Sequence, residues 1–417
     1  MKFAHIADVH LGGCRNHKLQ ELNLNAFKRT IEICKENKVD FILIAGDLFD
    51  TPMPSFDILK ETVSCLKELK ENNIECYIIP GSHDFSPSGK TFIDVLEKAG
   101  LCTNIAKFKE GQDNITLEFF VNDKLVITGL PGRKSNLEQR MFNNLIIPHD
   151  LGSYKGKLKI FMLHTTLQDS VKKEITFIES VNIEDLPAGF DYYAAGHIHN
   201  TIKIEKDNKI IVYPGPIFPN NFSELEELKE GSFLIVELDN ITKKFKITQK
   251  KIKLKDVVSL KINVSKMTSE EATSKIIDEI SKHDIKDKIL LLRIHGCIEG
   301  KLSNINFNLV EEKAKDCYVM LKNIHELTSS ELKLDEIKSE GKSIEEIEKE
   351  IIERYRNEIK DSEIFQGYIE KLMTVLDTEK KEGETTSVFE SRIFDEIIKI
   401  LNLEDVLYLE GKNEREI

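Results

Sequence analysis

Five short polar clusters in this sequence contain side chains of the kinds that bind metal ions, and each follows a stretch with the pattern of a β-strand. Together they offer seven ligands, which are carboxylates, imidazoles and one hydroxyl: Asp8, His10, Asp47, Ser82, His164, His197 and His199. A single Asp-x-His sequence occurs by chance in many loops. Five such clusters at successive strand ends are difficult to explain as packing. The pattern predicts a centre that holds two divalent metal ions over a phosphate group.

The donor types narrow the choice of metal. Carboxylates with neutral imidazoles suit Mn²⁺, Fe²⁺ or Zn²⁺ better than Mg²⁺ or Ca²⁺, which prefer shells made only of oxygen. No thiolate belongs to the set, which argues against a structural zinc site. A carboxylate such as Asp47 can bridge two ions about 3.5–4 Å apart, the spacing used for displacement at phosphorus. His83, held by the neighbouring Asp84, would stabilise the developing charge or protonate the leaving oxygen.

Each ligand taken alone also has an ordinary structural explanation. His164 at a strand end could be a core histidine, and Asp47 could cap the following helix. Taken alone, the pair of His197 and His199 could equally be structural or bind a metal ion. All of these explanations must hold together to remove the metal site, so we favour the site. Four other histidines lack comparable neighbours and are interpreted as structural: His5, His17, His149 and His283.

The elements that must position these ligands alternate in type along residues 1–240. The predicted strands are 3–7, 41–45, 76–79, 125–129, 159–163, 191–195, 210–213 and 233–238. Helical spacing of apolar residues over 24–38 and 56–72 separates the first three strands. This opening implies a largely parallel sheet covered by helices, and the later strands could form a second sheet packed on the first. In such folds ligands lie at the carboxyl ends of strands, where the loops converge.

The α/β pattern restarts near residue 250 and then changes to amphipathic helix. A strand over 257–264, a helix over 269–283 with Ser269 as N-cap and a strand over 288–295 predict a small α/β module of about 75 residues. Beyond Thr328 the composition becomes rich in Glu, Lys and Ile. Apolar residues at helical spacing, after the N-cap Ser343, predict a first tail helix over 343–359. Two further helical segments follow, at 364–376 and 389–401.

The size and charge of the chain bound its class. With 417 residues, 40% of them apolar and 31% charged, we expect a globular protein of two or three domains. No apolar run reaches 18 residues and the N-terminus lacks a signal-peptide pattern, so we expect a cytoplasmic protein without a membrane span. The seven cysteines are odd in number and contain no Cys-x-x-Cys pair, which argues against a disulfide framework or a zinc knuckle.

The net charge of −13 is concentrated in the tail. Residues 331–417 hold 25 Asp and Glu against 14 Lys and Arg, a net charge of −11. The remaining body is therefore close to neutral before metal binding, and two divalent cations would make its ligand-bearing face positive. An acidic tail would repel DNA phosphates.

The motif series resembles the calcineurin-like metallophosphoesterase superfamily. The motifs are D-V-H-L-G at residue 8, G-D-L-F-D at 46, G-S-H-D at 81, H-T-T at 164 and G-H-I-H at 196. Within that superfamily the chain is most similar to the SbcD-type nucleases of DNA double-strand-break repair, because Y-P-G-P at 213 also resembles their Y-P-G-S. The resemblance implies a metallophosphoesterase β-sandwich flanked by helices, with a small α/β capping domain and a helical C-terminal tail. It places the nuclease domain at 1–250, the capping domain at 251–330 and the tail at 331–417.

The resemblance also implies an activity and partners. It implies manganese-dependent exonuclease and endonuclease cleavage of DNA by a homodimer that acts with an SMC-like, ABC-type ATPase. One ion would be held by Asp8, His10, Asp47 and His199, and the other by Asp47, Ser82, His164 and His197. His83 would be the catalytic histidine, with Asp84 beside it. The tail segment 343–401 would dock on the ATPase coiled coil, the alternative being that it packs on the capping module and completes the fold.

Two residues depart from the family pattern. Ser82 replaces an asparagine whose amide oxygen ligates the second metal, so that metal is expected to bind more weakly or through a water. Asp50 replaces a histidine that in archaeal members helps to position DNA, and a carboxylate there would repel phosphate unless it is paired. Exonuclease strength is therefore open. Two rival functions stay open as well: a small-nucleotide phosphodiesterase or phosphatase, and a weakened scaffold subunit without catalysis.

Overall fold

The structure is a computed structural model that describes most of the chain. The described residues are 1–86, 89–111, 114–132, 141–147, 151–168, 180–239, 241–330, 368, 371–372, 374–376, 378 and 386–401. The chain divides into two compact units, Met1–Glu331 and Leu332–Ile417. Among the described residues, none of the helices combines the length and the apolar character that crossing a bilayer requires.

A six-stranded sheet carries the first three ligand clusters. Its strands, in spatial order, are β15 (Phe245–Ile252), β14 (Gly231–Leu238), β1 (Lys2–Ile6), β2 (Phe41–Ala45), β3 (Glu75–Ile79) and β4 (Thr103–Asn104). The four strands from β1 to β4 are mutually parallel, while β14 and β15 are antiparallel to their neighbours. The carboxyl ends of β1, β2 and β3 therefore lie at one edge of the sheet.

A second six-stranded sheet carries the remaining clusters. Its order is β12 (Ile202–Lys206), β13 (Lys209–Tyr213), β11 (Tyr192–Gly196), β10 (Leu158–His164), β8 (Leu125–Leu130) and β7 (Phe120–Val121). A buried apolar cluster with residues from both sheets joins them into a sandwich. Within it the rings of Phe3 and Phe41 stack 5.0 Å apart, and the edge of Tyr192 meets Phe3. Each aromatic side chain buried in this way contributes roughly 1.5–3 kcal/mol.

Three helices cover the outer face of the first sheet. They are α1 (His17–Glu36), α2 (Phe56–Glu71) and α3 (Phe92–Lys98). Each begins at a polar N-cap, Asn16, Ser55 and Thr91, whose side chain accepts a backbone N–H of the first turn. Their apolar faces pack with the outward side chains of β1, β2 and β3 into a second cluster.

A short helix and a small third sheet follow the sandwich. Helix α4 (Phe222–Leu228) precedes β14. The third sheet contains β16 (Val257–Asn263), β17 (Ile289–Ile298), β18 (Val319–Asn323) and β19 (Leu327–Ser329), with α5 (Ser269–Ser281) and α6 (Phe307–Lys313). Its β17 is tied to α4, because the nitrogens Nε and Nη2 of Arg293 both donate to the Glu226 carboxylate, at 3.0 and 2.7 Å.

The predicted α/β class and the helix-flanked sandwich are confirmed, and each of the eight predicted strands overlaps an observed one. Helix α1 starts earlier than the predicted position 24, and α5 is capped by Thr268 rather than Ser269, in a capping box with Glu271. Sequence reasoning missed a small sheet of β5 (Phe108–Glu110), β6 (Ile115–Leu117) and β9 (Leu145–Ile146). The domain boundary at 250 stays a prediction.

The tail predictions are only partly within the described residues. The first predicted helix, 343–359, lies outside them, and the second, 364–376, falls on them only in part. The third corresponds to α7 (Thr386–Leu401).

Candidate metal centre

The ligand clusters lie on loops that leave the carboxyl ends of five strands. Four of their residues have backbone φ angles in the left-handed region: Asp8 at 52°, His10 at 46°, Asp47 at 49° and His197 at 90°. Residues other than glycine adopt this region rarely, and they do so mainly where surrounding contacts compensate the strain. Here the His10 N–H donates to the Asp47 carbonyl at 2.9 Å, and the Asp8 N–H donates to the carbonyl of Gly46 at 3.2 Å. The loops after β1 and β2 are thus fastened to each other.

The first group of ligands contains Asp8, His10 and His199, which each offer one ligand atom within 4.8 Å of the others. Nε2 of His199 lies 3.8 Å from Oδ1 of Asp8. Nε2 of His10 lies 3.7 Å from Oδ2 of Asp47. The rings of His10 and His199 therefore both direct Nε2 toward an aspartate of the centre, and Nδ1 of each ring points away from that aspartate.

The second group contains Asp47, His164 and His197, again with ligand atoms within 4.8 Å of one another. Nε2 of His164 lies 3.1 Å from Oδ2 of Asp47, and Nδ1 of His164 contacts the Ala45 carbonyl at 2.9 Å. The His197 backbone N–H donates to both oxygens of Asp8, at 2.9 and 3.1 Å. One oxygen of Asp47, Oδ2, therefore lies near Nε2 of both His10 and His164, and the predicted bridging role of Asp47 stays a prediction.

The donor set fits two divalent cations. Asp8, Asp47 and His164 are at most 2% exposed, and Nε2 of His10 and of His164 are buried without a well-aligned hydrogen bond among the described residues. Buried carboxylates and unsatisfied imidazole nitrogens carry a large desolvation cost unless a counter-charge is present. Cations between these groups would accept both kinds of donor at once.

The pKa values of the group reflect this concentration of charge. Burial acts to lower the pKa of His164, but the Asp47 and Asp8 carboxylates outweigh it and raise that pKa to about 10. Burial acts to raise the pKa of Asp47, but His164 and His10 hold it well below its usual range. Burial and the charge of His164 lower the pKa of His197 to about 4. A cation that binds here must therefore displace a proton from His164.

Two glycines give the ligands their space. A Cβ at Gly46, whose φ is +88°, would lie 2.1 Å from Nδ1 of His164. A Cβ at Gly81 would lie 2.2 Å from Oδ1 of Asp47. Both contacts are shorter than real Cβ contacts, so the G-D and G-S-H-D motifs need glycine for the close approach of backbone to ligand.

His83 lies at the rim of the centre. Its backbone N–H donates to Oδ1 of Asp47 at 2.8 Å, and its side chain is 43% exposed. Nδ1 of the ring lies 2.8 Å from the Asp50 carbonyl oxygen. Ser82 lies in the loop between Gly81 and His83, whose backbone N–H contacts Asp47. Its part as a ligand stays a prediction.

Asp84 does not hold the His83 ring as the sequence suggested. Its carboxylate is buried and accepts three backbone N–H groups, those of Leu48 at 3.2 Å, Phe49 at 2.9 Å and Gly81 at 2.8 Å. Burial, reinforced by the Asp47 charge, raises the pKa of Asp84 to about 7. Its geometry is that of a residue that ties the loop after β2 to the loop after β3.

Two carboxylates lie behind the ligands in contacts that sequence reasoning missed. Oδ1 of Asp50 lies 3.2 Å from Nδ1 of His10, and Oε1 of Glu224 lies 2.9 Å from Nδ1 of His199. Pairing with His10 lowers the pKa of Asp50, so this carboxylate is paired rather than isolated. Glu224 has no motif around it and lies 25 positions after His199 in the sequence, so no spacing rule would have found it.

Comparison with known proteins identifies the family. A family model for calcineurin-like phosphoesterases matches residues 1–201. The chain is 26% identical over 409 residues to the DNA double-strand break repair protein Mre11 of Archaeoglobus fulgidus, and the match covers 94% of this chain and 88% of the relative. It is 30% identical over 287 residues to the SbcD component of the nuclease SbcCD of Staphylococcus saprophyticus, and that match covers 63% of this chain and 71% of the relative. The chain belongs to the Mre11/SbcD family of calcineurin-like phosphoesterases.

Membership agrees with the geometry of the centre. The Mre11/SbcD resemblance stated from the motifs is confirmed, and calcineurin-like phosphoesterases hold a dinuclear metal site. The two neighbouring groups, Asp8 with His10 and His199 and Asp47 with His164 and His197, are candidate ligand sets for such a site. The assignment of individual ligands to the two ions stays a prediction.

Proposed function

We propose that this chain is a DNA nuclease subunit that hydrolyses phosphodiester bonds by a two-metal mechanism in double-strand-break repair. The observation that carries the proposal is a pair of neighbouring ligand groups, in which Asp47 of the second group also lies 3.7 Å from His10 of the first, in a chain whose relatives are named as Mre11 and SbcCD nuclease proteins. We propose Mn²⁺ for both ions, since the donors are carboxylates and imidazoles without thiolates.

We propose that the candidate ligands are divided between the two ions as the family resemblance implies. One ion would be held by Asp8, His10, Asp47 and His199, and the other by Asp47, Ser82, His164 and His197. When bound, such ions supply a nucleophile at neutral pH and neutralise the charge that develops on the phosphate oxygens.

His83 is proposed as the residue that acts on the leaving oxygen. The Asp50 carbonyl accepts the Nδ1 proton, which fixes the tautomer when the ring is neutral. The opposite nitrogen is then available to the substrate at the rim, where the side chain is 43% exposed. A protonated ring there would donate a hydrogen bond to the phosphate or a proton to the departing alkoxide. Asp84 would support this step indirectly by fixing the loop that carries His83.

We further propose an SMC-like ATPase as the partner of the tail segment 343–401. Support comes from α7, whose apolar side chains Ile393, Ile397 and Ile400 are only half-buried and whose Phe394 is 58% exposed. Amphipathic helices with such faces bind grooves or helices of partner proteins.

We also propose that the chain forms a homodimer. Support comes from three apolar side chains on α2, α3 and the loop before α2. Phe56 is 91% exposed, Met53 is 77% exposed and Val95 is 56% exposed. Large apolar side chains exposed to this extent are candidates for burial in a protein interface.

The test compares three substrates under one set of conditions. Purified protein with Mn²⁺ is given linear duplex DNA, circular single-stranded DNA and a small chromogenic phosphodiester, with chelator and His83→Ala as controls. We expect DNA cleavage that both controls abolish. Turnover of the small ester alone would replace the proposal with a small-substrate phosphodiesterase, and absence of any turnover would favour a non-catalytic scaffold.

A further inference from the structure

We propose that Asp50 and Glu224 are positioning residues for the metal centre, each holding one imidazole of the first ligand group so that its Nε2 faces the ion. The inference rests on the proposed two-metal function and adds two residues to its machinery. Neither residue is a ligand in the assignment above, and Asp50 was expected to hinder phosphate binding.

Glu224 is fixed at both of its carboxylate oxygens. Oε1 lies 2.9 Å from Nδ1 of His199, and Oε2 accepts the backbone N–H of Asn220 at 2.9 Å. Its own N–H donates to Asn221, the N-cap of α4, at 3.0 Å. Because the first turn of α4 anchors it, Glu224 presents a rigid acceptor to the His199 ring. The side chain of Glu224 is only 18% exposed, so solvent screens the pair weakly.

Asp50 approaches His10 from another loop, in an ion-pair contact without the aligned hydrogen bond that joins Glu224 to His199. Its Oδ1 lies 3.2 Å from Nδ1 of His10, and the side chain is 29% exposed. The backbone of Asp50 is held by its N–H, which donates to the Leu11 carbonyl at 3.3 Å, and its own carbonyl faces the His83 ring. One residue therefore contacts a proposed metal ligand through its side chain and the proposed catalytic histidine through its backbone.

The two pairs share a geometry that suits metal ligation through Nε2. In each, a carboxylate faces Nδ1 while Nε2 lies 3.7–3.8 Å from a ligand carboxylate, Asp47 for His10 and Asp8 for His199. A carboxylate that accepts the Nδ1 proton fixes the tautomer in which Nε2 is free to bind a metal, and it makes the imidazole a stronger metal ligand. His164 of the second group differs, since its Nδ1 contacts the neutral carbonyl of Ala45. Loss of either carboxylate should therefore weaken one ion selectively.

The experiment measures metal binding without DNA, in the full chain. Mn²⁺ is titrated into metal-free wild type, Asp50→Ala, Glu224→Gln and Glu224→Ala, with Glu227→Gln as a control. Glu227 lies on the same helix and is exposed, so this control removes the same charge away from the site. We expect one of the two ions to bind about 10–100-fold more weakly in Asp50→Ala and Glu224→Ala. Glu224→Gln keeps an acceptor for Nδ1 and should restore part of the loss.

A second readout separates positioning from a merely structural effect. In metal-free protein with ¹⁵N-labelled histidine, we expect a larger Nε2–H tautomer population for His199 in Glu224→Ala and for His10 in Asp50→Ala, at unchanged unfolding temperature. Wild-type affinity for both ions in these variants would overturn the inference. Wild-type protein that binds no Mn²⁺ would overturn the proposed function itself, so the two failures are distinguishable.

Discussion

At the scale of single residues, His83 and the ligands have separable tasks. The proposed ligands Asp8 and Asp47 are buried and face imidazoles, whereas His83 is partly exposed at the rim, with its ring 4.8 Å from the ring of His10. Replacing His83 should therefore affect the chemical step without emptying the centre. In His83→Ala we expect kcat for DNA cleavage to fall about 10²–10⁴-fold, the usual contribution of general acid–base catalysis. The measurement pairs single-turnover cleavage with Mn²⁺ titration, and a matching loss of Mn²⁺ affinity would contradict this division.

Ser82 permits a gain-of-function prediction. A serine side chain is shorter than that of asparagine and its hydroxyl is a weaker metal ligand. Ser82 lies in the loop whose Gly81 and His83 N–H groups donate to Asp84 and Asp47. We expect Ser82→Asn to tighten the weaker of the two Mn²⁺ ions by roughly tenfold, since one direct ligand is restored. Calorimetric titration against wild type would measure the change. An unchanged weaker site, with the stronger site intact, would show that residue 82 is not a ligand.

Sequence analysis could predict that the Asp and His candidates lie together, but not the residues behind them. Ligand residues such as Asp8 and His164 carry a signal because their types are unusual at strand ends and parallel strands bring those ends together. Glu224 carries no such signal, since its contact with His199 depends on where α4 packs. The error at Asp84 has a related cause, because adjacency in sequence does not bring two side chains together when the backbone turns between them.

At the scale of elements, β1 links the sandwich core to the metal loop and contains a buried histidine. His5 is fully buried, and its Nδ1 lies 3.0 Å from the Tyr192 hydroxyl on β11 of the other sheet. Burial lowers the pKa of His5 from 6.5 to about 3. The unfolded chain therefore binds a proton between these two pH values that the folded chain excludes.

This histidine should make the sandwich sensitive to acid. Protonation of His5 in the unfolded chain does not reduce the free energy of unfolding above pH 6.5. As pH falls from 6.5 toward 3, this free energy decreases by about 1.4 kcal/mol per pH unit. We expect the free energy of unfolding of His5→Gln to depend less steeply on pH by about that slope. Denaturant unfolding of both proteins between pH 6.5 and pH 4 would measure it, and parallel pH profiles would refute the role of His5.

The long, periodic elements could be predicted from sequence, and the short ones could not. Strand β2 is continuously apolar because both of its faces are buried, and α2 shows helical spacing because one face packs on the sheet. The small sheet of β5, β6 and β9 has strands of only two or three residues. Such segments are too short to show an apolar period. In addition, β9 pairs with β6, from which it is far away in the sequence.

At the scale of the whole molecule, charge separates a near-neutral body from an acidic tail. Residues 331–417 carry a net charge of −11 out of −13. This separation suits a body that approaches DNA phosphates through bound cations and a tail that binds protein instead.

The tail proposal predicts a separable function. A chain that ends at residue 330 should fail to co-purify with its ATPase, while its Mn²⁺-dependent cleavage of DNA persists, because all proposed ligands precede residue 200. A second variant leaves the chain at full length and its charge unchanged. Phe394→Gln, at an exposed position of α7, should also weaken the association. Full association of the shortened chain would place the ATPase-binding surface in the body.

The central claim is that two metal ions, not one, make this chain a DNA nuclease. It is tested most directly by the rate of duplex DNA cleavage measured against the number of Mn²⁺ ions bound per chain. We expect little cleavage at one ion per chain, a steep rise as the second ion binds, and loss of cleavage in chelator. Full cleavage with a single ion bound, or with none, would contradict the two-metal mechanism.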